Sequence, residues 1–127
     1  MENNHLRIEQ LEIEKLVYGG AGLARKDAKV FFVPKALAGE KIEAEIQRAK
    51  SNFSHARLTR VIEPSPLRVA PPCAHFERCG GCHYQQMAYP EQLAVKRQIL
   101  AELFDRAKLP LTVDIRTIHG PDLHYRN

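Results

Sequence analysis

Alternating apolar and polar residues over the first half of the chain predict short β-strands. Residues 40–48 are the clearest case, because Ile42, Ala44 and Ile46 alternate with charged or amide side chains, and this period is typical of a half-buried strand. Further segments with strand character occur at residues 7–17, 23–25, 29–33 and 55–62. Glycine, proline and polar turn residues separate them. Five short strands in about sixty residues predict a small closed barrel of the OB type.

The same pattern predicts which side chains fill this barrel. Phe31 and Phe32 are expected in the core, whereas Phe53 fits either the core or an exposed turn. Alternation along the last strand divides its residues between two faces. One face is expected to carry Ala56, Leu58, Arg60 and Ile62.

Beyond the barrel, prolines predict a stiff linker, since each proline fixes its own φ and disfavours helix in the residue before it. The linker prolines are Pro64, Pro66, Pro71 and Pro72. A helix is predicted from Tyr89-Pro90 to about Lys108, and residues 111–118 alternate like a strand that begins a further β subdomain. The helix carries an apolar stripe that needs a partner: Leu93, Ile99, Leu100, Leu103, Phe104 and Ala107. The predicted fold class is mainly β, followed by an α+β part.

The linker leads into a loop that contains every cysteine of the chain, Cys73, Cys79 and Cys82, in the pattern CxxxxxCxxC. A CxxC turn aims both sulfurs at one point only if the backbone bends sharply, and Gly80 and Gly81 allow positive φ at little steric cost. Such a bend also points backbone N–H groups toward the sulfurs. The spacing predicts a loop folded around a metal centre.

Three thiolates leave one ligand unassigned. Iron–sulfur clusters usually take four cysteines, whereas zinc would accept His75 or His83 as a fourth ligand in a Cys₃His site. Spacing alone does not separate these two metals. A disulfide with one odd thiol is the weaker alternative, because nothing in the chain indicates export.

Charge adds a candidate nucleic-acid surface. The net charge is +4, and residues 48–60 hold four arginines and lysines but no acidic residue. OB-type barrels bind single strands with basic side chains and stacking aromatics. The candidate RNA-binding residues are Arg48, Lys50, Phe53, Arg57 and Tyr18. The alternative for the basic residues is an ordinary solvated surface.

Location follows from what the sequence lacks. The longest apolar runs, such as residues 30–33, are far too short to span a bilayer. The first five residues lack the basic and apolar regions of a signal peptide. We therefore expect a cytoplasmic protein without membrane contact.

These motifs together resemble the bacterial RNA (uracil-5-)-methyltransferases that carry an N-terminal TRAM domain and a 4Fe–4S cluster. The resemblance to TRAM lies in the glycine-rich segment 19–24, in Val33-Pro34 and in Gly39-Glu40. The cysteines and Gln85 resemble the cluster loop of that family, and Lys96-Arg97 and Tyr125-Arg126-Asn127 resemble the entry to its central subdomain. A radical methylthiotransferase fits less well, because its cysteines follow CxxxCxxC and its TRAM domain comes after the catalytic core.

The resemblance implies a division into a TRAM barrel at 1–66, a cluster loop at 67–89 and the start of a central subdomain at 90–127. It favours iron–sulfur over zinc, with Cys73, Cys79 and Cys82 as three ligands and the fourth outside this chain. It also implies RNA, and rRNA in particular, as the partner, a monomeric state, and S-adenosylmethionine as the cofactor of the complete enzyme. No residue here matches the catalytic residues of the family, so this chain alone is expected to be inactive.

Overall fold

The computed structural model describes residues 7–125. It contains the five predicted strands and the predicted helix. They are β1 (Ile8–Leu16), β2 (Ala21–Lys26), β3 (Lys29–Pro34), β4 (Lys41–Ala49), β5 (Phe53–Glu63) and α1 (Tyr89–Arg106). The N-terminal residues used to argue against a signal peptide, and Arg126-Asn127 of the terminal motif, lie outside the described residues.

The strands form a closed barrel in the order β1-β2-β3-β5-β4. Neighbours are antiparallel except β3 and β5, which pair in parallel from Val30 with Phe53 to Phe32 with His55. The barrel encloses the main core, which includes Leu11, Ile13, Ala24, Phe31, Val33, Ala36, Ile42, Ala44 and Ala56. Closure leaves every strand with two neighbours, so the barrel offers no free edge. The predicted OB-like barrel is confirmed.

The two adjacent phenylalanines of β3 do not share the core. Phe31 is 3% exposed and faces Ala24 inside the barrel. Because successive side chains of a strand point to opposite faces, Phe32 lies on the outer surface, where it is only partly buried. The prediction of Phe32 as a core residue is therefore wrong.

A β-bulge changes the faces of β5 halfway along the strand. Ala44 pairs with Leu58, but Glu43 pairs with Arg60, so β5 contributes one extra residue at this point. The extra residue reverses which side chains point inward. Val61 consequently packs against the core, and Arg60 binds Glu43 outside. The predicted placement of Arg60 on the face of Ala56 and Leu58 is wrong for this reason.

Helix α1 packs on the barrel exterior through a second buried cluster. It consists of Leu16, Leu37, Met87 and Ile99, with Tyr84 and Val95 against it. Val95 and Ile99 are four residues apart and share one helix face. Of the predicted stripe, Ile99 is buried, but Leu100 and Leu103 are 42% and 40% exposed.

No helix within residues 7–125 is long and apolar enough to cross a membrane.

The predicted strand at residues 111–118 is absent from the structure. Its alternation is real, but Val113 and Ile118 are 71% and 95% exposed. A strand needs a neighbour for its backbone N–H and C=O groups, and the closed barrel offers no edge to pair with. The further β subdomain is therefore not formed by the described residues.

Candidate functional site

A buried ion pair fixes the linker to the barrel. The Glu40 side chain is fully buried, and its carboxylate accepts hydrogen bonds from Arg68 Nε at 2.6 Å and Arg68 Nη2 at 2.8 Å. The backbone N–H groups of Leu37 and Ser65 donate to the same carboxylate. Burial raises the pKa of Glu40, but these hydrogen bonds and the Arg68 charge outweigh it and hold the pKa below its ordinary value. The carboxylate is thus ionised and satisfied.

This contact continues from the linker to the cysteine loop. Arg68 Nη2 donates to the Lys35 carbonyl at 2.7 Å. Lys35 Nζ donates to the Phe76 carbonyl at 2.7 Å and lies 4.9 Å from the centre of the Phe76 ring. Phe76 itself is buried. Barrel, linker and cysteine loop are therefore joined by one chain of polar contacts.

The β1–β2 turn also contacts the cysteine loop. Gly20 has a φ of +95°, and a Cβ added there would lie 2.8 Å from the Cβ of His83. Only glycine satisfies both the backbone conformation and this close approach. A cleft of about 280 Å³ opens beside the contact and is lined by residues of the turn together with Cys79 and Cys82. The CxxC turn therefore lies directly against the barrel.

The cysteine loop presents its thiols to solvent. Cys73, Cys79 and Cys82 are free and exposed. The Gly81 N–H donates to Cys79 Sγ at 3.3 Å, and the Gln85 side chain accepts from the Cys73 N–H at 3.0 Å. An N–H directed at a sulfur is the hydrogen bond that stabilises a ligating thiolate. Three free thiols, one of which accepts a backbone hydrogen bond, are groups suited to binding a metal as thiolates.

The sulfurs are not yet brought to one point. In the described part of the chain, no three His, Cys, Asp or Glu side chains are grouped closely enough to hold a metal ion. His83 makes an edge contact with the Tyr84 ring, with centroids 6.3 Å apart, and burial raises the pKa of Tyr84. The geometry thus supplies three exposed thiols and selects neither histidine as a fourth ligand.

Of the five predicted RNA-binding residues, three lie together, Arg57 lies further along β5, and Tyr18 lies elsewhere. Arg48, Lys50 and Phe53 lie together where β4 turns into β5, and the Lys50 N–H donates to the Phe53 carbonyl at 2.8 Å. Tyr18 is 81% exposed in the β1–β2 turn, next to the cysteine loop. Tyr18 lies just beyond the end of β1, whereas Arg48 lies near the part of β4 that pairs with the start of β1, so the two are at opposite ends of that strand.

The basic candidates differ in their neighbours. Arg57 donates to Glu45 at 2.8 Å, and Arg60 likewise donates to Glu43 at 3.0 Å. Arg48 and Lys50 make no ion pair within residues 7–125. Phosphate would meet a free cation at these two positions, whereas at Arg57 it would compete with a carboxylate.

The structure reveals two neighbours of Phe53 that the sequence did not indicate. Phe32 and His55 lie with ring centroids 6.1 and 5.6 Å from that of Phe53. Phe32 comes from β3, so the parallel pairing of β3 with β5 brings it to Phe53, whereas His55 lies two residues beyond Phe53 on β5 itself. The signal in the sequence is a pair of rings, Phe32 and His55, at positions that face each other across β3 and β5. It can be recognised only when the pairing of these strands is known.

Comparison with known proteins finds one matching domain family and several similar proteins. The TRAM domain family matches residues 6–59. The 23S rRNA (uracil(1939)-C(5))-methyltransferase RlmD of Shewanella amazonensis is 41% identical over 117 residues, which are 91% of this chain and 26% of that protein. An uncharacterized RNA methyltransferase of Thermotoga maritima is 38% identical over 122 residues, 94% of this chain and 27% of that protein.

A solved structure also shows similarity. The tRNA (uracil-54, C5)-methyltransferase of Pyrococcus abyssi, in complex with S-adenosyl-L-homocysteine, aligns with a TM-score of 0.49 and 26% identity. The alignment covers 81% of this chain and 22% of that one. The chain spans about a quarter of the length of the curated relatives it matches. The chain thus matches the TRAM domain family at residues 6–59 and is similar over about nine-tenths of its length to RNA methyltransferases.

Proposed function

We propose that this chain is the RNA-binding and cluster-bearing portion of an S-adenosylmethionine-dependent RNA (uracil-5-)-methyltransferase, and that its RNA is rRNA. One observation carries the proposal: the TRAM barrel and the cysteine loop occur together, in contact, within a chain similar to RNA methyltransferases over nine-tenths of its length. The names of relatives such as the Shewanella protein support rRNA as the substrate. Cytoplasmic location and a monomeric state stay predictions.

The role of this portion is to hold RNA for a reaction completed elsewhere in the enzyme. Methylation at C5 of uracil needs a thiolate that adds at C6 and so makes C5 nucleophilic. A base within folded RNA must also be turned out of its stack to be reached. We assign no residue of this chain to these steps. Its contribution is to bind the phosphates and unpaired bases around the target.

Arg48, Lys50 and Phe53 are the RNA contacts that the geometry supports best. The two cations have no carboxylate partner among the described residues, and Phe53 lies beside them with its ring partly exposed. Arg57 is a weaker candidate because of its Glu45 partner. Tyr18 offers a second contact at the end of the barrel that faces the cysteine loop.

Salt-dependent binding tests this surface. We expect Arg48→Ala/Lys50→Ala to weaken binding of a single-stranded RNA and to reduce the slope of log K against log salt by about 1.4, since each lost phosphate contact contributes about 0.7 on single strands. Arg25→Ala/Lys41→Ala is a control that also removes two exposed or half-exposed charges. An equal reduction in both variants would mean that net charge, and not this surface, binds the RNA.

For the cysteine loop we propose a 4Fe–4S cluster held by Cys73, Cys79 and Cys82, with a fourth cysteine outside this chain. The exposed sulfurs and the Gly81 N–H contact at Cys79 support this proposal. Such a cluster would serve the enzyme by ordering the loop against the barrel.

Single substitutions separate this cluster from the Cys₃His zinc alternative. Each Cys→Ser variant should lose iron, whereas His75→Ala and His83→Ala should keep it. Loss of bound zinc in one histidine variant, with no iron in any, would favour the zinc site instead.

A further inference from the structure

The outer face of β3 and β5 carries a cluster of three rings. Phe32, Phe53 and His55 contact one another, with centroids 5.6 to 6.1 Å apart. The Phe53 ring is steeply inclined to the other two, and the Phe32 and His55 rings are tilted by only 32°. Neither phenylalanine belongs to the buried clusters of the barrel or of the helix. The rings therefore form an aromatic surface outside both cores.

Strand register extends this surface into a row across four strands. Leu23 of β2 pairs with Phe32 of β3, which pairs with His55 of β5. His55 in turn pairs with Arg48 of β4. Side chains at paired positions lie on the same face of a sheet. Leu23 is buried at one end of this row, and the accessible part runs through two rings to Arg48, which makes no ion pair in the described range.

The surroundings of the rings carry the charge that nucleic acid requires. Lys50 lies in the turn that leads into Phe53, and residues 46–62 contain no acidic residue. Rings that served only to strengthen the sheet would not require this setting. Exposed aromatics with free cations beside them are the combination by which OB-type barrels bind single strands.

We propose that Phe32, His55 and Phe53 form a stacking platform for unpaired bases, with Arg48 and Lys50 binding the adjacent phosphates. The inference rests on the proposed RNA-binding function and narrows it to single-stranded segments, because bases within a duplex do not expose the faces that a ring can stack on. Stacking of this kind tolerates any base, since every base has a π-face. The platform would therefore hold the strand near the target without reading its sequence.

Binding of a labelled single-stranded oligouridine of about a dozen nucleotides, and of a duplex of equal length, tests the platform by fluorescence anisotropy. Phe32→Leu and Phe53→Leu keep an apolar side chain but remove the ring. Each should weaken single-strand binding about tenfold and leave the salt slope unchanged, because no charge is lost. His55→Ala gives a third variant at an exposed position. Tyr125→Leu, which removes a 66% exposed ring outside the cluster, is the matched control and should bind normally.

The outcomes separate the platform from the proposed function. If Arg48→Ala/Lys50→Ala weakens binding but none of the three ring variants does, the platform is wrong and the RNA-binding role stands. Equal affinity of the unchanged protein for duplex and single strand would also overturn the platform. If the unchanged protein binds neither RNA, both proposals fail. Thermal unfolding of each variant shows whether a loss of binding reflects a loss of fold.

Discussion

The barrel and the cysteine loop owe their order to different kinds of interaction. The barrel closes its own hydrogen-bond ladder around a core that includes Leu11, Phe31 and Ile42. Between Cys73 and Cys82 the loop has one buried side chain, Phe76, with a few backbone turns and three exposed thiols. Burial of apolar surface is the main source of stability in a folded domain, so the barrel is expected to fold by itself. We expect the loop to depend on the proposed metal to hold its sulfurs together.

The two regions are nevertheless joined through polar contacts. Glu40 binds Arg68, Arg68 binds the Lys35 carbonyl, and Lys35 binds Phe76. These contacts fix where the loop starts on the barrel without ordering its thiols. The barrel therefore positions the loop, whereas the proposed metal would bring its three sulfurs together.

The largest effect is expected from Glu40→Ala, which leaves Arg68 without its buried partner. We expect a loss of about 3 to 5 kcal/mol in the free energy of unfolding, measured by urea denaturation, because breaking a buried pair leaves a charge uncompensated. Glu43 is more exposed than Glu40 and pairs with Arg60 on the surface. Glu43→Ala should therefore cost no more than about 1 kcal/mol in the free energy of unfolding. Similar losses for the two variants would show that the Glu40 contact does not join linker and barrel as described.

Next comes Cys79→Ser, which should affect the loop and spare the barrel. Without its metal the loop should be cleaved by trypsin after Arg78 at least about tenfold faster, because opening it no longer requires release of the metal. The barrel should unfold at an unchanged temperature. Cys79→Ser protein that resists trypsin as well as the unchanged protein would mean that the loop does not depend on a metal.

Acid should weaken the join between the two regions through Glu40. Its pKa is lowered in the folded state, so its contribution to stability is present above its ordinary value of 4.5 and is lost as pH falls through the folded-state value. Urea denaturation of the unchanged protein and of Glu40→Gln across this range should show a stability difference that shrinks with decreasing pH. A constant difference would rule out this carboxylate as the titrating group.

The smallest effect is expected from Arg57→Ala. Its ion pair with Glu45 must be exchanged for any phosphate contact, so RNA affinity should fall less than with Lys50→Ala. RNA affinity of both variants is measured by anisotropy at two salt concentrations. A larger loss of affinity for Arg57→Ala than for Lys50→Ala would place the RNA along β5 beyond the rings, toward the cysteine loop.

Much of the fold was predictable because its signals are local. Alternation and turn residues indicated all five strands, and Pro90 marked the start of the helix. Alternation failed where it needed a partner or an unbroken register. It could not foresee the bulge that brings Val61 inward, and it predicted a strand at 111–118 that has no neighbour. Phe32 is a different case, because alternation places it opposite the inward Phe31 and only its apolar ring favoured the core.

The candidate site was predictable only in part, for the same reason. The cysteine spacing and the basic stretch around Lys50 each lie within one short continuous segment of the chain, so both can be recognised without knowledge of the fold. The Glu40 and Arg68 pair spans 28 residues of sequence, and the cluster of Phe32 with His55 depends on parallel strand pairing. Val95 packs against the buried cluster, whereas Leu100 and Leu103 of the predicted apolar stripe are exposed. The position of the barrel decides which face of the helix is covered.

Metal analysis with an absorption spectrum of the chain purified without oxygen decides whether the cysteine loop holds a cluster. We expect brown protein that contains iron and sulfide, with a cluster that is readily lost because only three cysteine ligands come from this chain. Colourless protein with about one zinc per chain would contradict the cluster and would make the loop a zinc site beside an RNA-binding barrel.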